Sequence, residues 1–335
     1  MEPAVAVSIS TRFAYVALYV AALALPAAAD KNDVASVTFV APVTSADDAW
    51  TTRPKVQRRG AINEFDGQIL ELTPADGKKL RVGSHFVTEL SFQWSTTAAA
   101  AADKLVDERK YVEAVKAIEA AYPALPKWQQ RLLLARMVHS LSAAGKDRIA
   151  GIIFINLAAA NPPPIVYADM PLCWTTKQTD SSHAGEARKW IVAEDEVSQL
   201  LGASWLLSGS MRTESERILR KLKSSKNQTI AALATAQSWR LASPPESKER
   251  ATQWMKFRDN LILPLQIGPT EFLADRLTRI GETELAMGQW LRIATVHSDQ
   301  HARAVVALSS AKQQLIQAER TREAESIEVW KRNLQ

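Results

Sequence analysis

Between residues 60 and 92 the apolar positions alternate with polar ones. Ala61-Ile62-Asn63-Glu64-Phe65 is followed by Gln68-Ile69-Leu70-Glu71-Leu72, then by Leu80 and Val82, then by Leu90 and Phe92. A period of two puts every second side chain on one face, the pattern of a half-buried strand. Asp66-Gly67 between the first two runs marks a hairpin, and Ala75-Asp76-Gly77 marks a second turn. The segment 60–94 is therefore expected to be a meander of three or four strands. A sheet of that size buries little core alone. It must lean on the helices that follow, with Trp94 as the candidate contact. Ahead of it, residues 30–59 read as an irregular segment with one possible strand, Val37-Thr38-Phe39-Val40. Lys55, Arg58 and Arg59 form a short basic cluster there, either a solvated edge or an anion contact.

After Ser95 the period changes to that of helices. Residues 98–122 are helical with a break at Arg109-Lys110; 127–143 and 148–160 follow. Asn161-Pro162-Pro163-Pro164 ends the run, because proline lacks the N–H and clashes with the preceding turn. Residues 163–184 show no clear period and are expected to form a long ordered loop. Helices resume over 185–335, with breaks expected near Gly209, 224–227, Ser243-Pro244-Pro245, Gly268-Pro269, Gly281 and Ser298-Asp299. Residues 194–223 have a helix–turn–helix outline carried by Trp205, Gly209, Ile218 and Leu222.

Two of these helices share a spacing. Ala114 is followed by Ile118, Ala121 and Pro126; Ala150, 36 residues on, is followed by Phe154, Leu157 and Pro162 at the same offsets. A small residue lets paired helices approach, the bulky residue one turn later fills the gap, and the proline turns the chain back. A weaker unit near 270–298 has Ala286, Trp290 and Ile293, with Ser298 where the proline would stand, and a partial echo surrounds Ala324. These features resemble the tetratricopeptide repeat (TPR) family. The match covers two units over 95–162. It departs from the family in the first helices, where Leu105 and Ala102 fit but Val138 replaces the small residue in the second unit. The other reading is a generic array of helical hairpins. The resemblance implies a mainly α protein, a TPR-like α-solenoid of helical hairpins preceded by the β-meander, itself SH3-like or a partial barrel. It also implies that ligands lie against the first helices: Asp103 and Val106 in one unit, Leu132, Ala135, Arg136 and His139 in the next. The Lys/Asn set with which one subset of the family grips a peptide carboxylate is absent.

Composition narrows the functional classes. Of 335 residues, 47% are apolar and 23% charged, which excludes a disordered or collagen-like chain and fits two or three domains. A single cysteine, Cys173, excludes an internal disulfide and any cysteine-cluster metal site. Residues 1–29 carry Arg12, a short apolar stretch, and Pro26-Ala27-Ala28-Ala29, the layout of a signal peptide. The apolar stretch falls short of the roughly 20 residues a spanning helix needs. The expected location is extracytoplasmic, periplasmic or secreted; membrane anchoring through an uncleaved 1–29 is the alternative. The net charge of +5 is modest; it suits an anionic envelope polymer or lipid headgroups better than nucleic acid, or serves solubility alone.

Few residues carry a chemical signature. His297 and His301 are four apart, but Ser298-Asp299 between them reads as the start of a new helix, so they do not share a face. His183 sits beside Asp180, Ser181 and Ser182, but sequence neighbours do not build a triad. Glycine-rich phosphate loops are missing, so no cofactor is expected. Arg217, Arg220 and Lys221, at i, i+3 and i+4, share one helix face, either solvated or docking to an acidic partner. Most of the ten tryptophans fit core positions. Trp174 is the exception: with Tyr167, Met170, Pro171 and Leu172 it forms either a plug over the helices or an exposed binding lip. The expectation is a non-enzymatic scaffold for protein–protein interaction, or else a protein that binds envelope polymer or carbohydrate. Its candidate partner-binding residues are Asp103, Arg136, His139, Trp174, Arg217, Arg220 and Lys221.

Overall fold

The computed structural model describes residues 34–40, 55–174, 181–242, 247–298 and 300–334. The expected signal segment 1–29, the polar stretch 44–54 up to Pro54, and the break at Ser243-Pro244-Pro245 lie outside them. The protein is mainly helical, with a small antiparallel five-stranded sheet on its N-terminal side.

The strands are β1 (Ala35–Val40), β2 (Lys55–Phe65), β3 (Ile69–Thr73), β4 (Leu80–Gly83) and β5 (Val87–Ser91), in the order β4-β3-β2-β1-β5. This corrects the expected meander in two ways. The sheet begins at Ala35, so Lys55, Arg58 and Arg59 are part of a long strand and not of an irregular segment. The last strand does not continue the meander: it returns to pair with β1, Val37 opposite Leu90. The predicted Asp66-Gly67 turn is present, with the Asp66 carboxylate accepting from the N–H groups of Gln68 and Ile69 at 2.8 and 2.9 Å. Val37, Phe65, Leu70, Leu72 and Val87 are fully buried beneath the sheet.

Thirteen helices follow among the described residues. They are α1 (Thr97–Asp107), α2 (Tyr111–Ala121), α3 (Lys127–Ala143), α4 (Asp147–Ala159), α5 (Ser181–Ile191), α6 (Glu196–Leu206), α7 (Arg212–Leu222), α8 (Gln228–Ser238), α9 (Lys248–Asp259), α10 (Ile267–Arg279), α11 (Thr283–Val296), α12 (His301–Gln317) and α13 (Thr321–Leu334). Helices adjacent in the chain pack on each other, except α8 and α9, and α3 also touches α1, as α8 touches α6. Two expectations fail here. Gly268-Pro269 does not break a helix but sits in the first turn of α10, where a proline costs no hydrogen bond. The loop expected over 163–184 ends at Ser181, and its first part, Pro164–Asp169, is a 3₁₀ turn, so His183 stands on a helix.

Four hairpins close with one and the same turn. In α1–α2, α3–α4, α10–α11 and α12–α13, a leucine carbonyl (Leu105, Leu141, Leu277, Leu315) accepts from the N–H five residues on at 2.8–3.0 Å. The residue before that donor has positive φ: Arg109 63°, Gly145 71°, Gly281 77° and Glu319 58°. This is the Schellman ending, which satisfies the last carbonyls of a helix. Five residues after each left-handed residue comes Ala114, Ala150, Ala286 or Ala324, fourth in the second helix and at most 2% exposed. Two hairpins lie early in the chain and two at its end.

The sheet is fixed to the helices by specific contacts. The Arg131 guanidinium of α3 donates to the Glu64 carboxylate and the Phe65 carbonyl of β2, and to the Ala160 carbonyl beyond α4. The Gly67 N–H donates to the Asn161 carbonyl at 2.8 Å. Trp128 of α3 is buried in the sheet's own core, edge-on to Phe92. Trp94 meets the helices as expected and donates its indole N–H to Asp103 at 2.9 Å. At the other end, Arg109 donates to the Leu334 carbonyl at 2.8 Å and lies 3.0 Å from His301 Nδ1. The end of α13 and the start of α12 thus touch the α1–α2 turn.

Candidate functional site

A cavity of about 610 Å³ opens among α3, α5, α6, α10, α12 and the segment 168–174. That volume falls within the roughly 300–1,000 Å³ of small-ligand sites. Its wall after the 3₁₀ turn is held by hydrogen bonds. Trp205 donates its indole N–H to the Pro171 carbonyl at 2.7 Å, the Cys173 N–H donates to Ser204 Oγ at 2.8 Å, and Gln237 donates to the Cys173 carbonyl at 3.0 Å. Trp174 lies over Gly268, where any β-carbon would collide with the indole. Of the two expected alternatives, the packing over Gly268 is that of a plug, with the side chain half-buried. One face plugs against α10, and the side chain also lines the cavity.

The polar lining comes from distant parts of the chain. His139 Nδ1 of α3 lies 3.4 Å from the Asp169 carboxylate, too far for a strong hydrogen bond. Glu271 of α10 and Arg303 of α12 form a two-pronged pair at 2.7 and 2.6 Å. Asp147 opens α4, and His183 of α5 stands edge-on to Trp205 at 5.0 Å. Among the described residues, three carboxylates thus face one guanidinium, itself already paired. Such a lining accepts hydrogen bonds and attracts cations; its tryptophans offer flat apolar walls. Among the described residues, no three or more His, Cys, Asp or Glu side chains are grouped to hold a metal ion. Beyond the cavity wall, Arg240 is buried, reaching the Ser204 carbonyl and Gln237 at 2.7 Å and the Cys173 thiol at 3.5 Å. Burial pushes its pKa below the usual guanidinium range, against the opposing pull of Cys173.

The residues singled out in the sequence separate into three places. His139 and Trp174 meet in the cavity. Asp103 and Arg136 pair with each other at 2.6 Å, and Arg136 also holds Asp107, so they tie α1 to α3. Burial lowers the Arg136 pKa, but Asp103 and Asp107 together carry it above its ordinary value. Arg217, Arg220 and Lys221 lie on α7: Arg217 pairs with Glu214, Arg220 with Glu216, and Lys221 reaches Gln199. Asp147, Asp169, Glu271 and Arg303 carry no sequence signal, because they meet only through the fold. His183 and Trp205 were visible, one as a polar loop residue and the other as core. His297 and His301 fall on either side of a helix start, and His297 is buried.

Comparison with family models, with curated proteins and with solved structures returns no match to this chain.

Proposed function

We propose that this protein is a non-enzymatic interaction scaffold that holds a segment of a protein partner in the cavity. In this reading the helices form a TPR-like array, and the sheet is an SH3-like module fixed to its first hairpins. Four identical hairpin turns with a buried alanine at one offset support the array. Strand order β4-β3-β2-β1-β5, with a 3₁₀ turn between β4 and β5, supports the module. In this array α3, α10 and α12 are first helices of their hairpins, the side on which the family receives ligands. The observation that carries the proposal is that His139, Glu271 and Arg303, one from each of these helices, converge on one cavity. The layout of residues 1–29 supports work outside the cytoplasm. Among the described residues, no helix is long and apolar enough to cross a membrane.

A random-peptide display selection on the full chain tests this. Selected peptides are expected to bind the protein and to lose at least tenfold in affinity with Trp174→Ala or His139→Ala. Arg217→Glu on α7 should leave them unaffected. Failure to enrich peptides, together with binding of neutral or anionic oligosaccharides that Trp174→Ala abolishes, would replace this reading with the polymer-binding one.

A further inference from the structure

Resting on that reading of the cavity, we propose that it recognises a cationic side chain of the bound segment, a lysine or an arginine. The charge would be neutralised by Asp147 and Asp169, and the aliphatic stem would lie against Trp174 and Trp205. The chain as a whole carries +5, yet among the described residues that line this hollow three carboxylates stand against one guanidinium. That guanidinium, Arg303, makes two bonds to Glu271, so the two form a pair of no net charge, and Asp147 and Asp169 remain, among the described residues, as the lining acids without a guanidinium of their own. Among the described residues, the charged partner of Asp169 is His139, at 3.4 Å. Among the described residues Asp147 has no ion pair, and it lies in the first turn of α4.

The walls suit the stem of such a side chain. Trp205 lines the cavity with its N–H committed to Pro171; its ring is largely buried, edge-on to His183 and Trp190. Trp174 is pinned over Gly268. Tryptophan is the best ring for a cation–π contact, and long basic side chains cover apolar surface with their methylenes while the charge finds its partner. An acidic segment would meet Asp147 and Asp169 unpaired, at a cost in affinity that specificity exploits.

The experiment is calorimetric titration of the full chain with short alanine peptides whose centre is lysine, arginine, norleucine, acetyl-lysine or glutamate. The lysine and arginine peptides are expected to bind at least tenfold more tightly than the norleucine and acetyl-lysine ones. That preference should shrink with salt and disappear in Asp147→Asn with Asp169→Asn. Asparagine keeps the shape of each side chain, and matching thermal melts confirm that the variants fold. Equal binding of lysine and norleucine peptides, both lost with Trp174→Ala, would overturn the charge selectivity and leave the peptide scaffold standing. Tighter binding of the glutamate peptide would likewise overturn it. No binding by any peptide, while a chito-oligosaccharide binds, would overturn both.

Discussion

The four Schellman turns allow a prediction in which the same backbone geometry gives opposite outcomes. Gly145 and Gly281 have φ of 71° and 77°, and a β-carbon on either would meet nothing within 4 Å. Glycine-to-alanine there therefore adds no clash and isolates the cost of the left-handed conformation, about 1–2 kcal/mol. The gain from a less flexible unfolded chain, roughly 0.4–1 kcal/mol, offsets part of it. Gly145→Ala and Gly281→Ala should each destabilise by about 1 kcal/mol. Glu319 sits at the same turn position with φ of 58° and is exposed, so Glu319→Gly should stabilise by about 0.5–1 kcal/mol by the same arithmetic. Arg109 has φ of 63°, but its guanidinium also holds the Leu334 carbonyl and His301. Arg109→Gly relieves the backbone and loses these bonds, so it should be neutral or destabilising by about 1 kcal/mol. Urea unfolding measures the series as shifts of midpoint at constant m-value. A neutral Gly145→Ala, or a Glu319→Gly that destabilises, would refute the claim that these turns are equivalent and governed by φ.

Arg131→Met should cost about 2–3 kcal/mol, because it leaves Glu64 and two carbonyls without their donor; limited proteolysis should then cut the sheet before the helices. Gly202→Ala should cost about 1–3 kcal/mol, since its β-carbon would stand 2.5 Å from the Ile191 nitrogen and 2.7 Å from the Ala187 carbonyl of α5; thermal melts read this directly. His297 has its pKa pushed down to about 4 by burial and by Arg292, Arg303 and Arg258. The unfolded chain therefore takes up a proton at His297 that the folded chain refuses, and stability is lost as pH falls from about 6.5 toward 4. At about 1.4 kcal/mol per pKa unit, partial solvent screening leaves a loss of roughly 2 kcal/mol. Replacement by Gln should flatten that part of the stability–pH curve, and an unchanged slope would refute the assignment.

The sequence was legible where local physics decides. Helix α3 ends where its period ends, and Gly145 and Pro162 stop their helices for covalent reasons. The second helices of the hairpins were visible because a buried small residue and a bulky one recur at fixed spacing. The pairing of β5 with β1 was not, since the meander pattern carries no signal of which edge the last strand joins. Gly60 suggested a strand boundary, but it lies inside β2, where a β-carbon would collide with the Thr73 carbonyl. Gly268-Pro269 suggested a stop, although the first turn of a helix tolerates both. The cavity was the least legible feature. Asp147, Asp169, Glu271 and Arg303 come together only because α4, α10 and α12 do, and none belongs to a local motif. Asp103 and Arg136 stood out as charged first-helix residues, yet their charges are spent on each other.

The cavity is the proposed seat of a partner segment. Hydrogen–deuterium exchange of the full chain, with and without the tightest peptide of the lysine series, tests this most directly. Slowed exchange confined to residues 139–147, 168–174 and 300–303 is predicted. Slowed exchange on α7 with those segments unchanged would contradict it.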